Sequence, residues 1–177
     1  IFITKNGGKT WENRQDGILS FRIPEAKIPE WQAIGTSAFH PNVVYVSYKE
    51  LQTHKDTVSF GVAKSTDFGE TWKLVWKDPY LSETNKMKPD WIRERYGPGW
   101  GENPFSLGVA PSNPNICYGG DYGRTMKTDD GGKTWGQVNS IKNTIGDYTT
   151  TGLDVTTSYS IVFDPFDKSH VFIPTTD

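Results

Sequence analysis

The sequence predicts an all-β fold assembled from repeated four-stranded antiparallel units, and three observations carry that prediction. The first is composition. Among 177 residues there are 18 Gly and 11 Pro, and 14% are aromatic, with seven Trp. Frequent glycine and proline cut a chain into short strands and turns rather than long helices. A chain this rich in aromatic side chains also has the apolar bulk to fold. The second observation is a phrase that occurs three times: Thr4-Lys5-Asn6-Gly7-Gly8-Lys9-Thr10-Trp11, Ser65-Thr66-Asp67-Phe68-Gly69-Glu70-Thr71-Trp72 and Thr128-Asp129-Asp130-Gly131-Gly132-Lys133-Thr134-Trp135. Its Trp residues stand 61 and then 63 residues apart, and a near-constant period marks a repeat architecture. The third is a strand–turn–strand phrase between those copies. It runs from Ala38 through Pro41-Asn42 to Tyr45, from Val109 through Ser112-Asn113-Pro114 to Tyr118, and more loosely from Val162 through Asp164-Pro165 to Phe172.

The chemistry of the first phrase is that of a tight turn between two strands. Asn6, Asp67 and Asp130 can accept hydrogen bonds from backbone N–H groups just ahead of them. Gly8, Gly69 and Gly132 supply positive φ, and the Trp that opens the next strand is large enough to fill the space between sheets. Combined with the second phrase, one unit holds four strands, read in one copy at about 104–110, 115–120, 123–129 and 133–138. Four-stranded units repeated at this period predict a β-propeller. Residues 1–14 supply the last two strands of one blade, 31–76 and 103–138 two whole blades, and 157–177 the first two strands of another. That is about three blades, and a ring takes roughly four to eight. The chain is therefore expected to be part of a larger propeller, completed by further sequence or another chain. An opening Ile1 and an end at Asp177 directly after a strand-like run fit that expectation.

The phrase [ST]-x-[DN]-x-G-x-T-W resembles the Asp-box, or BNR repeat, of sialidases. The same box occurs in xyloglucan-cleaving endoglucanases, in sortilin-type receptors and in a photosystem assembly factor. The resemblance covers nearly the whole chain as a signature of fold and implies no single function.

Connections in such units alternate between two faces. The box turns share a face with the short first-to-second turns, and the long insertions, about 15–30, 77–102 and 139–156, fall on the other. Long loops gathered on one face predict a binding surface. The middle insertion offers Tyr80, Trp91, Arg93, Glu94, Arg95, Tyr96, Trp100 and Glu102, a set of aromatic planes and charged groups able to stack on sugar rings and bind hydroxyls. The same aromatics would equally pin a long loop to the blade beneath. The candidate substrate-binding residues are Trp91, Arg93, Arg95, Tyr96, Trp100 and Glu102, together with Tyr122 and Arg124.

Two carboxylates end second strands on the long-loop face, Asp121 and Asp177. Both resemble the strand–Asp–x–Gly segment that carries a catalytic aspartate in the xyloglucan endoglucanases, and glycoside hydrolysis usually takes two carboxyl groups. Asp121 is read as catalytic on that resemblance and, alternatively, as a turn-forming Asp before glycine. Phe21-Arg22-Ile23-Pro24 is similar to the sialidase Arg-Ile-Pro motif. It follows a box instead of preceding the first one, with no arginine triad or Tyr–Glu pair, so no sialidase site is assigned.

Other classes find no support. The net charge is −2 and no basic cluster stands out, against nucleic-acid binding. No apolar run approaches the length of a spanning helix. One cysteine, Cys117, leaves no intramolecular disulfide, the three His are scattered, and no metal or cofactor is expected. The reading is part of an exported, glycoside hydrolase-like propeller that binds or cleaves a polysaccharide; the alternative is a non-catalytic propeller that binds a peptide or protein, sortilin-like or assembly-factor-like.

Overall fold

The computed structural model describes residues 1–19, 24–26, 28–54, 57–78, 86–97, 104–153 and 157–176. The chain opens with the hairpin β1 (Phe2–Ile3) and β2 (Glu12–Asn13), followed by one helical turn, α1 (Asp16–Leu19). A four-stranded antiparallel sheet follows in sequence order: β3 (Glu30–Ser37), β4 (His40–His54), β5 (Thr57–Ser65) and β6 (Lys73–Asp78). After β7 (Lys86–Met87) and α2 (Trp91–Tyr96) comes a second such sheet of β8 (Ser106–Val109), β9 (Cys117–Gly120), β10 (Thr125–Thr128) and β11 (Thr134–Gln137). β7 adds in parallel to the outer edge of β11. The hairpin β12 (Ser140–Lys142) and β13 (Tyr148–Thr150) then precedes β14 (Thr157–Ser158), β15 (Val162–Phe163), β16 (Val171–Phe172) and β17 (Thr175–Thr176). β14 pairs with β17 and β15 with β16, all antiparallel. The protein is thus all-β, a partial propeller of four-stranded antiparallel blades.

Every specified position of the repeated phrase has a visible job. The first hydroxyl accepts the glycine N–H at 2.8 Å in all three copies: Thr4 from Gly8, Ser65 from Gly69, Thr128 from Gly132. The acid or amide accepts the N–H of the Thr four residues on, at 2.9 Å each time. Its second oxygen accepts the hydroxyl of that same Thr in two copies, Asp67 from Thr71 at 2.5 Å and Asp130 from Thr134 at 2.6 Å. In the first copy the Asn6 amide donates to Thr10 Oγ1 instead. Gly8, Gly69 and Gly132 stand at φ 88, 84 and 93, and the residue before each is also left-handed. That position is Gly7 and Gly131 in two copies but Phe68 at φ 60 in the middle one, a conformation bulky side chains avoid.

The Trp then couples one sheet to the next. Trp72 Nε1 donates to Arg14 O and Trp135 Nε1 to Val75 O, both at 2.8 Å. Each acceptor lies three residues after the Trp of the preceding box. Trp72 is buried with Ile18, Val46, Tyr48, Leu51 and Ala63; Trp135 is buried with Val43, Tyr45, Val62, Trp76, Val109, Cys117 and Met126. Trp76 and Trp135 meet with ring centroids 5.2 Å apart. Trp11 departs from the expectation that box tryptophans fill inter-sheet space: it is 60% exposed, because no described residue supplies a sheet on its outer side.

Innermost strands pack where side chains are missing. A Cβ on Gly35 of β3 would stand 3.1 Å from Val109 Cγ2, and one on Gly108 of β8 would stand 2.5 Å from Ile161 Cγ2. Val109 of β8 thus fills the gap at Gly35, and Ile161, between β14 and β15, fills the one at Gly108.

The box carboxyls tie stability to pH. The hydroxyl and N–H of Thr71 and the Ser65 hydroxyl hold Asp67 down to about 2. At Asp130 burial pushes upward, but the bonds from Thr134 and Thr128 outweigh it and the carboxyl again lies at about 2. Both bind protons more weakly folded than unfolded, so their stabilisation is complete above about pH 4 and is lost as pH falls toward about 2. Urea unfolding is expected to show Asp130→Ala destabilised by about 1–3 kcal/mol at neutral pH. The double variant Asp67→Asn/Asp130→Asn, imitating Asn6, should keep most of that stability and lose part of the acid transition. An unchanged acid limb would contradict this assignment.

Candidate functional site

In the second sheet, strand register places the entry, the exit and the β9–β10 turn at one end. Ser106 pairs with Gly120 and Thr125 with Gly120, so the entry to β8, the β9–β10 turn and the exit of β11 lie together. The box turns lie at the other end. α2 and the β12–β13 hairpin therefore share the long-loop end, although both arise from stretches that carry no recognisable secondary structure in the sequence.

Local chemistry explains each. Asp90 caps α2, its Oδ1 accepting Arg93 N at 2.8 Å, and Gly97 N returns to Arg93 O. The β12–β13 turn closes on Asn143, whose Oδ1 accepts the N–H of Ile145 at 3.1 Å and of Asp147 at 2.9 Å. Lys142 Nζ bridges the two elements, reaching both oxygens of Glu94 at 2.8 and 2.9 Å and standing 5.3 Å over the Tyr148 ring. Lys142 holds the Glu94 carboxyl below its usual value, while burial and that carboxylate push the Tyr148 phenol up to about 12.

Between α2 and the hairpin runs a groove of about 640 Å³, with Trp91, Glu94, Arg95, Asp147, Tyr148 and Leu153 on its walls. Trp91 is half-buried and meets the edge of Tyr96 at 6.2 Å, and the Arg95 guanidinium stands 5.7 Å over the Tyr96 ring. At the same end Tyr122, Phe105 and Tyr159 form an aromatic row, with centroids 4.9 and 5.7 Å apart. Tyr122 and Tyr159 are more than half exposed.

Beneath this surface lies a buried ionic cluster. Asp78 accepts Trp76 Nε1 at 2.8 Å and pairs with Arg93, which also approaches Asp90 at 3.8 Å. Asp121 Oδ2 accepts Arg124 Nε at 2.8 Å, and its Oδ1 accepts Gly123 N at 3.0 Å and Arg124 N at 2.6 Å. Arg124 lies 5.7 Å over the Trp76 ring. Burial raises the Asp121 carboxyl to about 6 against the pull of Arg124 and the two N–H groups.

The sequence-assigned residues thus divide. Trp91 and Arg95 line the groove, with Tyr96 beside them, and Tyr122 stands in the aromatic row. Arg93 and Arg124 sit below and hold carboxylates instead of facing solvent. Asp121 is fully buried, with both oxygens engaged in its own turn, the arrangement of a turn-forming Asp. Asp177, Trp100, Glu102, Tyr80 and residues 21–23 lie outside the described residues. Phe105 and Tyr159 escaped the sequence reading, because Phe105 stands just before β8 and Tyr159 just after β14, outside the long insertions. Among the described residues no group of three or more His, Cys, Asp or Glu converges as a metal site, and no helix is long and apolar enough to cross a membrane.

The description "BNR/Asp-box repeat" matches residues 63–74. No curated protein matches the chain. Among solved structures it is similar to a GH74 xyloglucanase from Xanthomonas campestris, at 18% identity and TM-score 0.42 over 75% of this chain and 18% of that one. It is similar to a GH74 enzyme from Niastella koreensis at 21% identity and TM-score 0.43, over 77% of this chain and 17% of that one. It is also similar to YCF48 bound to D1 peptide, at 14% identity and TM-score 0.48, over 98% of this chain and 53% of that one. The chain therefore spans a small share of the two enzymes' length and about half of YCF48's.

The buried pair is expected to behave as a unit. Arg124→Met strands the Asp121 charge and should cost about 3–5 kcal/mol in chemical denaturation, while Asp121→Asn/Arg124→Met should recover most of the loss. Equal losses in the single and double variants would mean that the two side chains are not coupled.

Proposed function

We propose that the chain is part of an exported, glycoside hydrolase-like propeller that binds a polysaccharide across its long-loop face. The groove between α2 and the β12–β13 hairpin carries the reading. A sugar ring offers an apolar face edged by hydroxyls. Trp91 supplies a plane for such a face, and Arg95 and Asp147 supply a donor and an acceptor for the hydroxyls. The exposed row of Tyr122 and Tyr159 around Phe105 would extend contact beyond one ring, as a polymer requires. Trp100 and Glu102 are assigned to the same surface as members of the same insertion. Export follows from the substrate class, since structural polysaccharides lie outside cells.

Binding is the part of the proposal that the groove supports directly. Cleavage is its finer part and assigns reacting roles to Asp121 and Asp177. A carboxyl at about 6 suits a general acid, but its turn must open before a glycosidic oxygen can reach it.

Calorimetric titration with β-glucan oligosaccharides tests the reading. Saturable binding is expected, weakened about tenfold by Trp91→Ala. Binding of peptides with no response to any glycan would overturn it in favour of a peptide-binding propeller. For cleavage, release of reducing ends that survives Asp121→Asn would remove Asp121 from the chemistry.

A further inference from the structure

The groove holds a polar group that its surroundings leave unused. Asn139 lies on the groove lining, between β11 and β12, and only 2% of it is exposed. Neither Oδ1 nor Nδ2 of its carboxamide has a hydrogen-bond partner among the described residues. The same holds for Oγ of Ser140, the next residue and part of the same lining. Buried side-chain polar groups are nearly always paired, so an unpaired one calls for a physical reason.

The backbone around Asn139 is held. Val138 N donates to Thr125 O at 2.9 Å, Val138 O accepts the Thr151 hydroxyl at 2.6 Å, and Asn139 O accepts Thr151 N at 3.2 Å. The carboxamide therefore keeps its place on the groove while its donor and acceptor capacity stays free. Nor does it shape the local chain. Asn143, four residues on, closes its own turn by accepting the N–H groups of Ile145 and Asp147, and Asn139 has no such task.

We infer that Asn139 is a recognition residue of the groove, its carboxamide reading two neighbouring hydroxyls of a sugar unit, one donating to Oδ1 and the other accepting from Nδ2. This rests on the groove being a sugar-binding surface, and it adds the group that demands a free hydroxyl pair. A carboxamide offers donors and an acceptor side by side without net charge, as a pair of adjacent hydroxyls does. A site built this way rejects an analogue that lacks the hydroxyls, because its own polar group is then left unpaired. In a β-1,4-linked glucan the adjacent free pair on each inner unit is O2 and O3.

A buried carboxamide without a partner weakens the unliganded fold, whereas one that tied the loop together would strengthen it. Asn139→Leu keeps the branching of the side chain and removes its polar atoms, so folding and binding should respond in opposite directions. Urea unfolding followed by circular dichroism should give the Leu variant a midpoint equal to or above that of the unaltered protein. Calorimetric titration with a β-1,4-glucan tetrasaccharide should show it binding about tenfold more weakly. Tetrasaccharides deoxygenated at C2 or C3 should bind the unaltered protein more weakly than the parent sugar does, and the Leu variant no differently from it. If the Leu variant misfolds, Asn139→Ala supplies the binding measurements. A lower midpoint for a natively folded Leu variant makes Asn139 part of the scaffold and overturns the inference. Tetrasaccharide binding that Trp91→Ala weakens and Asn139→Leu leaves intact overturns this inference alone. No glycan binding by the unaltered protein removes the sugar reading of the groove together with it.

Discussion

The structure depends on a short hydrogen bond that crosses from one sheet to the next. A box Trp leaves the turn at the start of a fourth strand, passes its ring between sheets and donates Nε1–H to a carbonyl beside the previous fourth strand, Trp72 to Arg14 and Trp135 to Val75. An antiparallel sheet of four strands cannot bury both faces alone. The ring supplies apolar area, and the indole N–H finds a partner that buried tryptophan needs. The box makes this possible because its hydroxyl, carboxylate and positive-φ glycine leave the Trp no freedom of direction. Scaffold and site thereby separate: one end of the sheets is occupied by these turns, and the other is left for insertions.

That separation was legible in the sequence because it rests on local rules. The box spacing fixes a period, the period fixes strand count, and alternation of connections sends residues 77–102 and 139–156 to one end. The placement of Trp91 and Arg95 follows from that logic. What escaped was whatever depended on non-local partners. Asp90 as a helix cap was readable in principle, but a six-residue helix inside a long insertion has no periodicity to reveal it. Gly35 and Gly108 carry no local signal in the sequence, yet a Cβ on either would crowd a side chain distant in the chain, Val109 or Ile161. Asp121 carried two readings in the sequence, a catalytic carboxylate and a turn former, and the turn it makes with Gly123 and Arg124 is the second; its burial depends on the sheets around it and has no local signal.

The buried charges connect scaffold to surface. Trp76 belongs to the inter-sheet core with Trp135, and through Asp78 it reaches Arg93, which stands on the helix that walls the groove. The orientation of α2 is therefore set from below by the same aromatic layer that joins the sheets. Lys142 on Glu94 fixes it from the side. The groove is thus framed from two sides although insertions build it.

Exchange of the indole Nε1 hydrogens of Trp72 and Trp135, followed by nuclear magnetic resonance, tests the inter-sheet bond most directly. The account predicts that both exchange as slowly as the core amides of β5 and are released together on global unfolding. Exchange at the rate of a free indole, with the β5 amides still protected, would show that the sheets hold together without these bonds and would contradict it.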